Sequence, residues 1–117
     1  MTTPRDVALI NELRALPAET VWLEFKSNNS DPEMVGKRCS AMSNAARIAG
    51  KDTAYMIWGV EDGSHAVVGT DFNPDTKKVG NQAFSLWLAN SLQPSIAFNF
   101  RAVDHPQGRL MLLEIPA

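Results

Sequence analysis

Two periods of apolar residues alternate along this chain, and the switches between them outline its elements. Leu9, Leu13 and Leu16 stand at helical spacing behind Thr3-Pro4-Arg5-Asp6, which offers a hydroxyl cap, a first-turn proline and an acid near the helix dipole's positive end. Pro17 stops that pattern, so the spacing predicts a helix over 4–15. From Val21 to Lys26 the period drops to two, predicting a strand with Leu23 and Phe25 on one face and Trp22, Glu24 and Lys26 on the other. Asn28-Asn29-Ser30-Asp31-Pro32 reads as a loop ending in a cap. A stripe of Val35, Cys39, Met42, Ala46 and Ala49 then predicts a second helix, closed at Gly50. Ala54 to Val60 and Val67-Val68 read as strands around Asp62-Gly63, a strong hairpin signal. After a loop over Asp71 to Asp75, a third helix is expected over 76–92, with Val79, Ala83, Leu86 and Leu92 inward, Phe84, Trp87 and Leu88 broadening the face, and Gly80 weakening its start. Strands near 96–104 and 109–115, joined by His105-Pro106-Gln107-Gly108, complete the order α, β, α, β, β, α, β, β. That order predicts an α+β fold in which a mixed β-sheet packs against helices.

The chain has 117 residues, 44% hydrophobic and 21% charged, the balance of one ordinary globular domain. Its single cysteine, Cys39, excludes a disulfide within the chain and lies on the second helix's apolar stripe, as a buried structural thiol would. No apolar run is long enough to span a membrane, and the first residues lack a signal-peptide core, so a cytoplasmic location is expected. A strand running almost to Ala117 suggests the N-terminal part of a longer protein. The net charge of −2, from 11 basic and 13 acidic side chains, argues against a surface that embraces nucleic acid as a whole. A local basic stripe remains open. Between Glu33 and Asp52 the bases Lys37, Arg38, Arg47 and Lys51 outnumber the acids, and Lys37, Arg47 and Lys51 lie off the apolar stripe with the neutral donors Ser40 and Asn44. The alternative is a solvated helix face.

Three acids invite chemistry. Glu19 and Glu24 are five positions apart, and Asp62 sits in Gly59-Val60-Glu61-Asp62-Gly63. Carboxylates of this kind can hold Mg²⁺ or Mn²⁺ against a phosphodiester, with Lys26 offsetting charge that develops on the phosphate. They are equally explained by a solvated Glu24–Lys26 pair, an Asp-Gly turn and a surface glutamate. Trp58 and Trp87 read as core, whereas Trp22 shares the Glu24 and Lys26 face and is a candidate for stacking on a base. His65 and His105 have no partners at metal-ligand spacing. No Gly-x-x-x-x-Gly-Lys-Ser/Thr loop occurs, so there is no ATP-site motif.

Leu23-Glu24-Phe25-Lys26, a helix with Ser40-Ala41-Met42-Ser43-Asn44, Ile57-Trp58-Gly59-Val60-Glu61-Asp62-Gly63 and Val67-Val68-Gly69 together resemble the Schlafen AlbA-like domain family, described as DNA-binding and once grouped with divergent AAA ATPases. The resemblance implies a nucleic-acid-binding α+β domain of a bacterial-type transcriptional regulator, with Lys26, Lys37, Ser40, Asn44, Arg47, Lys51 and Trp22 as contacts to DNA or RNA. From the family's animal branch it also implies a divalent-metal endoribonuclease, with Glu19, Glu24 and Asp62 as its carboxylate triad. One departure is Ala45 to Asp52, longer than the glycine pair that many members carry there. It lengthens the helix and supplies no such pair for backbone contact to phosphate. A third class, a protein-interaction module or homodimer, is compatible with the slightly acidic charge.

Overall fold

The computed structural model describes residues 4–16, 20–92 and 96–117. Its elements are α1 (Pro4–Arg14), β1 (Leu23–Lys26), α2 (Pro32–Ile48), β2 (Thr53–Trp58), β3 (Lys78–Val79), β4 (Gln82–Ala83), α3 (Phe84–Ser91), β5 (Asn99–His105) and β6 (Gly108–Pro116). Four strands form a mixed sheet in the order β1-β2-β6-β5, with β1 parallel to β2 and the other pairs antiparallel. The α+β class expected from the sequence is the one observed.

Parallel pairing of β1 and β2 requires a crossover, and α2 supplies it. Asp31 caps that helix, accepting the Met34 N–H on Oδ2 at 3.0 Å, and Pro32 occupies its first turn. The Val35, Cys39, Met42 and Ala46 stripe is fully buried. Ala49, expected on the stripe, is the exposed C-cap, and the Gly50 and Lys51 N–H groups close the helix onto Arg47 and Ala46 carbonyls.

Both faces of the sheet are covered. On one, Ile10 and Leu13 of α1 pack with Leu23, Phe25, Ile57, Val103, Leu110 and Leu112. On the other, α2 and α3 meet Met56, Trp58, Met111, Leu113 and Ile115. β6 therefore buries Leu110 to Leu113 as a continuous run, the signature of a strand with no solvent face. Trp58 is fully buried and donates its indole N–H to Asn29 O at 2.7 Å, which satisfies its one polar atom. Trp87 packs half-buried against the same core. On α1, Leu9 is only half-buried, as is Leu16 just past the helix end, and Ile10 and Leu13 face inward. The expected cap Thr3 and stop Pro17 lie outside the described residues.

Three expectations are corrected. Residues 78–83 form a tight hairpin, β3-β4, and not the start of the third helix. Gly80, at φ +61, and Asn81 make its two-residue turn, because glycine adopts that conformation without steric cost. Lys77 anchors the hairpin by donating Nζ to Ser30 O at 2.8 Å and Oγ at 2.7 Å, above the Phe72 and Phe84 rings. The helix that remains turns Phe84 and Leu88 inward and leaves Leu86 54% exposed. Next, the Asp62-Gly63 segment does not join two strands: Val60 and Val67 form one isolated bridge, and Glu61 to Ala66 closes as a loop. Gly59 redirects the chain there, so Val60 packs on the α1 side while Trp58 packs on the α2 side. Finally, Val21 and residues 96–98 lie outside the strands.

Candidate nucleic-acid interface

α2 is 17 residues long and lies on the sheet through one stripe, so its opposite face must meet solvent. At roughly 100° per residue, Glu33, Lys37, Ser40, Asn44 and Arg47 fall within an arc of about 80° opposite that stripe. All five are exposed. Lys37, Ser40, Asn44 and Arg47 have no hydrogen-bond or ion-pair partner among the described residues. Lys37 and Arg47 are about 15 Å apart along the axis, far enough to meet separate phosphates. A cleft of about 480 Å³ opens beside them between α2 and α3, lined by Glu33, Gly36, Lys37, Ser40, Trp87, Ser91 and Leu92.

The other expected contacts are less free. Lys51 follows α2 and holds its Nζ 5.1 Å from the centre of the Trp22 ring, so the half-buried indole already has a cation on one face. Lys26 is 28% exposed and its Nζ lies 3.6 Å from Glu24 Oε2.

Glu24 stands on β1, the edge strand beside α2, where Arg38 reaches it: Nε donates to Oε1 at 3.1 Å. The carboxylate is 15% exposed, and two cations balance its charge. Among the described residues its buried Oε2 has no hydrogen bond, since Lys26 is too distant for one. Residue spacing marked Arg38 as basic but could not show that α2 aims it at β1.

Asp62 is exposed in the Glu61–Ala66 loop, and Glu19 lies outside the described residues. Among the described residues no group of three His, Cys, Asp or Glu side chains is placed to hold a metal ion. The donor set fits a divalent ion only in part, through the orphan oxygen of Glu24.

Other candidates prove structural. Cys39 is buried, and burial pushes its thiol up to about 12, well away from the reactive thiolate range. His105 is buried between α1 and the β5–β6 turn. Its Nδ1 accepts the Gln107 N–H at 3.1 Å, so the proton sits on Nε2, which faces Asn11 Oδ1 at 2.8 Å. Burial first, and Arg14 second, lower its pKa. His65 packs on Phe25 and sets Nδ1 3.1 Å from Arg14 O.

A family model described as Schlafen, AlbA_2 matches residues 19–117, a span that takes in β1 to β6, α2 and α3. The chain belongs to the Schlafen, AlbA_2 family. No curated protein matches it. Membership of the Schlafen, AlbA_2 family is consistent with nucleic-acid binding. Among the described residues no helix is long and apolar enough to cross a membrane.

Proposed function

We propose that this Schlafen, AlbA_2 domain binds nucleic acid through the outer face of α2, as the nucleic-acid-binding domain of a transcriptional regulator. The observation that carries the reading is the exposed Lys37, Ser40, Asn44 and Arg47 set, aligned on one helix face and without side-chain partners among the described residues. A solvated helix face is the competing account of this set, and two unpaired cations flanking two neutral donors on one line also match a run of phosphates. Phosphates use all four, the cations by charge and counterion release and the hydroxyl and amide by hydrogen bonding. Lys51 and Lys26, also expected as contacts, are engaged with Trp22 and Glu24. Contacts of this kind to the phosphate backbone make binding depend strongly on salt.

Fluorescence anisotropy with labelled oligonucleotides at low ionic strength tests this. Affinity should fall steeply with salt, and the double change Lys37→Glu, Arg47→Glu should abolish most of it. Absence of salt-dependent binding to either DNA or RNA would sink the proposal, and sedimentation at several concentrations would then examine the protein-interaction or homodimer alternative.

A second reading, a Mg²⁺- or Mn²⁺-dependent endoribonuclease using Glu19, Glu24 and Asp62, is favoured by one observation. Glu24 Oε2 is a buried anionic oxygen without a hydrogen bond, which an ion would satisfy. A bound ion would polarise the phosphoryl oxygen. The side chains would contribute ligation from Glu24, with Lys26 beside it as a counter-charge for the phosphate. Cleavage of structured RNA in Mn²⁺ that disappears in Glu24→Ala supports it; cleavage that survives the substitution removes it.

A further inference from the structure

A second set of polar side chains converges away from the α2 face, where the carboxyl ends of β1 and β2 meet the start of β6. Asn28, Val68, Gly69, Thr70, Asp71 and Arg109 line a cleft there of about 300 Å³. Arg109 is firmly oriented: its Nη1 donates to Thr70 O at 3.0 Å and to Phe72 O at 2.9 Å, which uses both hydrogens of that nitrogen. Its Nε and Nη2 donors have no partner among the described residues and are not buried, so they meet solvent. Asn28 is fixed in a similar way. Its Oδ1 accepts the Thr70 hydroxyl at 2.6 Å, leaving its amide NH₂ free to donate. Asp71 is exposed, and no described residue pairs with it.

The cleft thus combines a pinned guanidinium edge, an amide donor and an unpaired carboxylate. The free Nε–Nη2 edge of an arginine matches two oxygens of a phosphate in a bidentate contact. A carboxylate in the same small cleft opposes a bare phosphate and needs a donor of its own. One ribonucleotide unit meets both demands, with its phosphate on Arg109 and Asn28 and its 2′-hydroxyl donating to Asp71. A deoxyribonucleotide leaves Asp71 facing the phosphate with nothing between them. We infer that this cleft is a ribose-phosphate subsite, built by Arg109, Asn28 and Asp71, that makes the domain prefer RNA to DNA of the same sequence. The inference rests on the nucleic-acid-binding reading and refines which nucleic acid is taken.

The test is anisotropy titration of the full chain with single-stranded RNA and DNA of identical sequence, comparing the unaltered protein with Asp71→Ala and Arg109→Lys. The unaltered protein should bind RNA about tenfold more tightly, the worth of roughly one hydrogen bond to a charged group. Asp71→Ala should bring that ratio close to one, by weakening RNA binding and slightly strengthening DNA binding. Arg109→Lys keeps the charge but loses the fork, and should weaken both. Asp71 is exposed and makes no side-chain hydrogen bond or ion pair among the described residues, so its variant should stay folded, and thermal unfolding of both variants checks this. Binding of both polymers with equal affinity, or a preference that Asp71→Ala leaves intact, overturns the subsite while the α2 interface stands. Failure of the unaltered protein to bind either polymer overturns both.

Discussion

Adding one methyl group at Gly59 should cost far more stability than adding the same group at Gly63, although both residues have the same φ. Each sits at φ +98, where a side chain is strained by its own backbone. That common cost is about 1–2 kcal/mol. The surroundings differ. A Cβ on Gly63 has no heavy atom within 4 Å, whereas one on Gly59 would lie 2.6 Å from Leu110 Cδ2, 3.0 Å from Arg109 O and 3.2 Å from the Gly69 carbonyl carbon. Leu110 is fully buried and cannot swing aside, and the other two atoms are backbone. Overpacking of this kind adds about 1–3 kcal/mol. Gly63→Ala should therefore lose about 1–2 kcal/mol, and Gly59→Ala about 2–5 kcal/mol. Equilibrium urea unfolding followed by tryptophan fluorescence measures both, provided the denaturant slopes agree. Equal losses would refute the packing half of the reasoning. A smaller loss at Gly59 would refute the geometry itself. The comparison matters for function because Gly59 packs against the chain on either side of the proposed cleft, at Gly69 and Arg109.

Gly36→Ala should stabilise by about 0.4–1 kcal/mol, since Gly36 lies inside α2 and a methyl there meets only Leu88 Cδ1 at 3.8 Å; a loss measured by the same unfolding experiment would contradict it. Single changes Lys37→Gln and Arg47→Gln should each reduce the salt slope of nucleic-acid binding by about one, and unchanged slopes would move the interface elsewhere. His105 is neutral in the fold and its pKa is lowered from 6.5, so its contribution is fully present above that value. It is lost as pH falls from 6.5 toward the folded-state pKa, because the unfolded chain takes up the proton first. His105→Gln should flatten the fall in stability between neutral and mildly acidic pH, and an unaltered profile would contradict the assignment. Cys39 should react with a thiol reagent only as fast as the protein opens, so urea should accelerate labelling; immediate stoichiometric labelling of the native protein would contradict its burial.

How far the sequence could be read depended on whether short-range pattern or long-range contact set each feature. α2 was legible almost to its ends, since a cap, a proline and four buried stripe positions all point to the same helix. The β3–β4 hairpin was not. Val79 and Ala83 fit a helical stripe, and only Lys77 reaching back to Ser30, together with the turn at Gly80, selects the hairpin. The Asp62-Gly63 signal marked a reversal correctly, but Gly59 bends the chain out of the sheet before a second strand can pair.

The site divides in the same way. Lys37, Ser40, Asn44 and Arg47 were identifiable as one face because a helix converts spacing directly into direction, and only exposure had to be added. No spacing could pair Arg38 with Glu24, or bring Asn28 to Thr70 across 42 positions and Arg109 to Thr70 across 39. Local sequence determined the periods, caps and family pattern of this protein, because those arise from backbone geometry within a few residues. Tertiary structure decided which charges are paired within the fold and which stay unpaired at the surface, because pairing depends on where the sheet and the crossover helix bring distant side chains together.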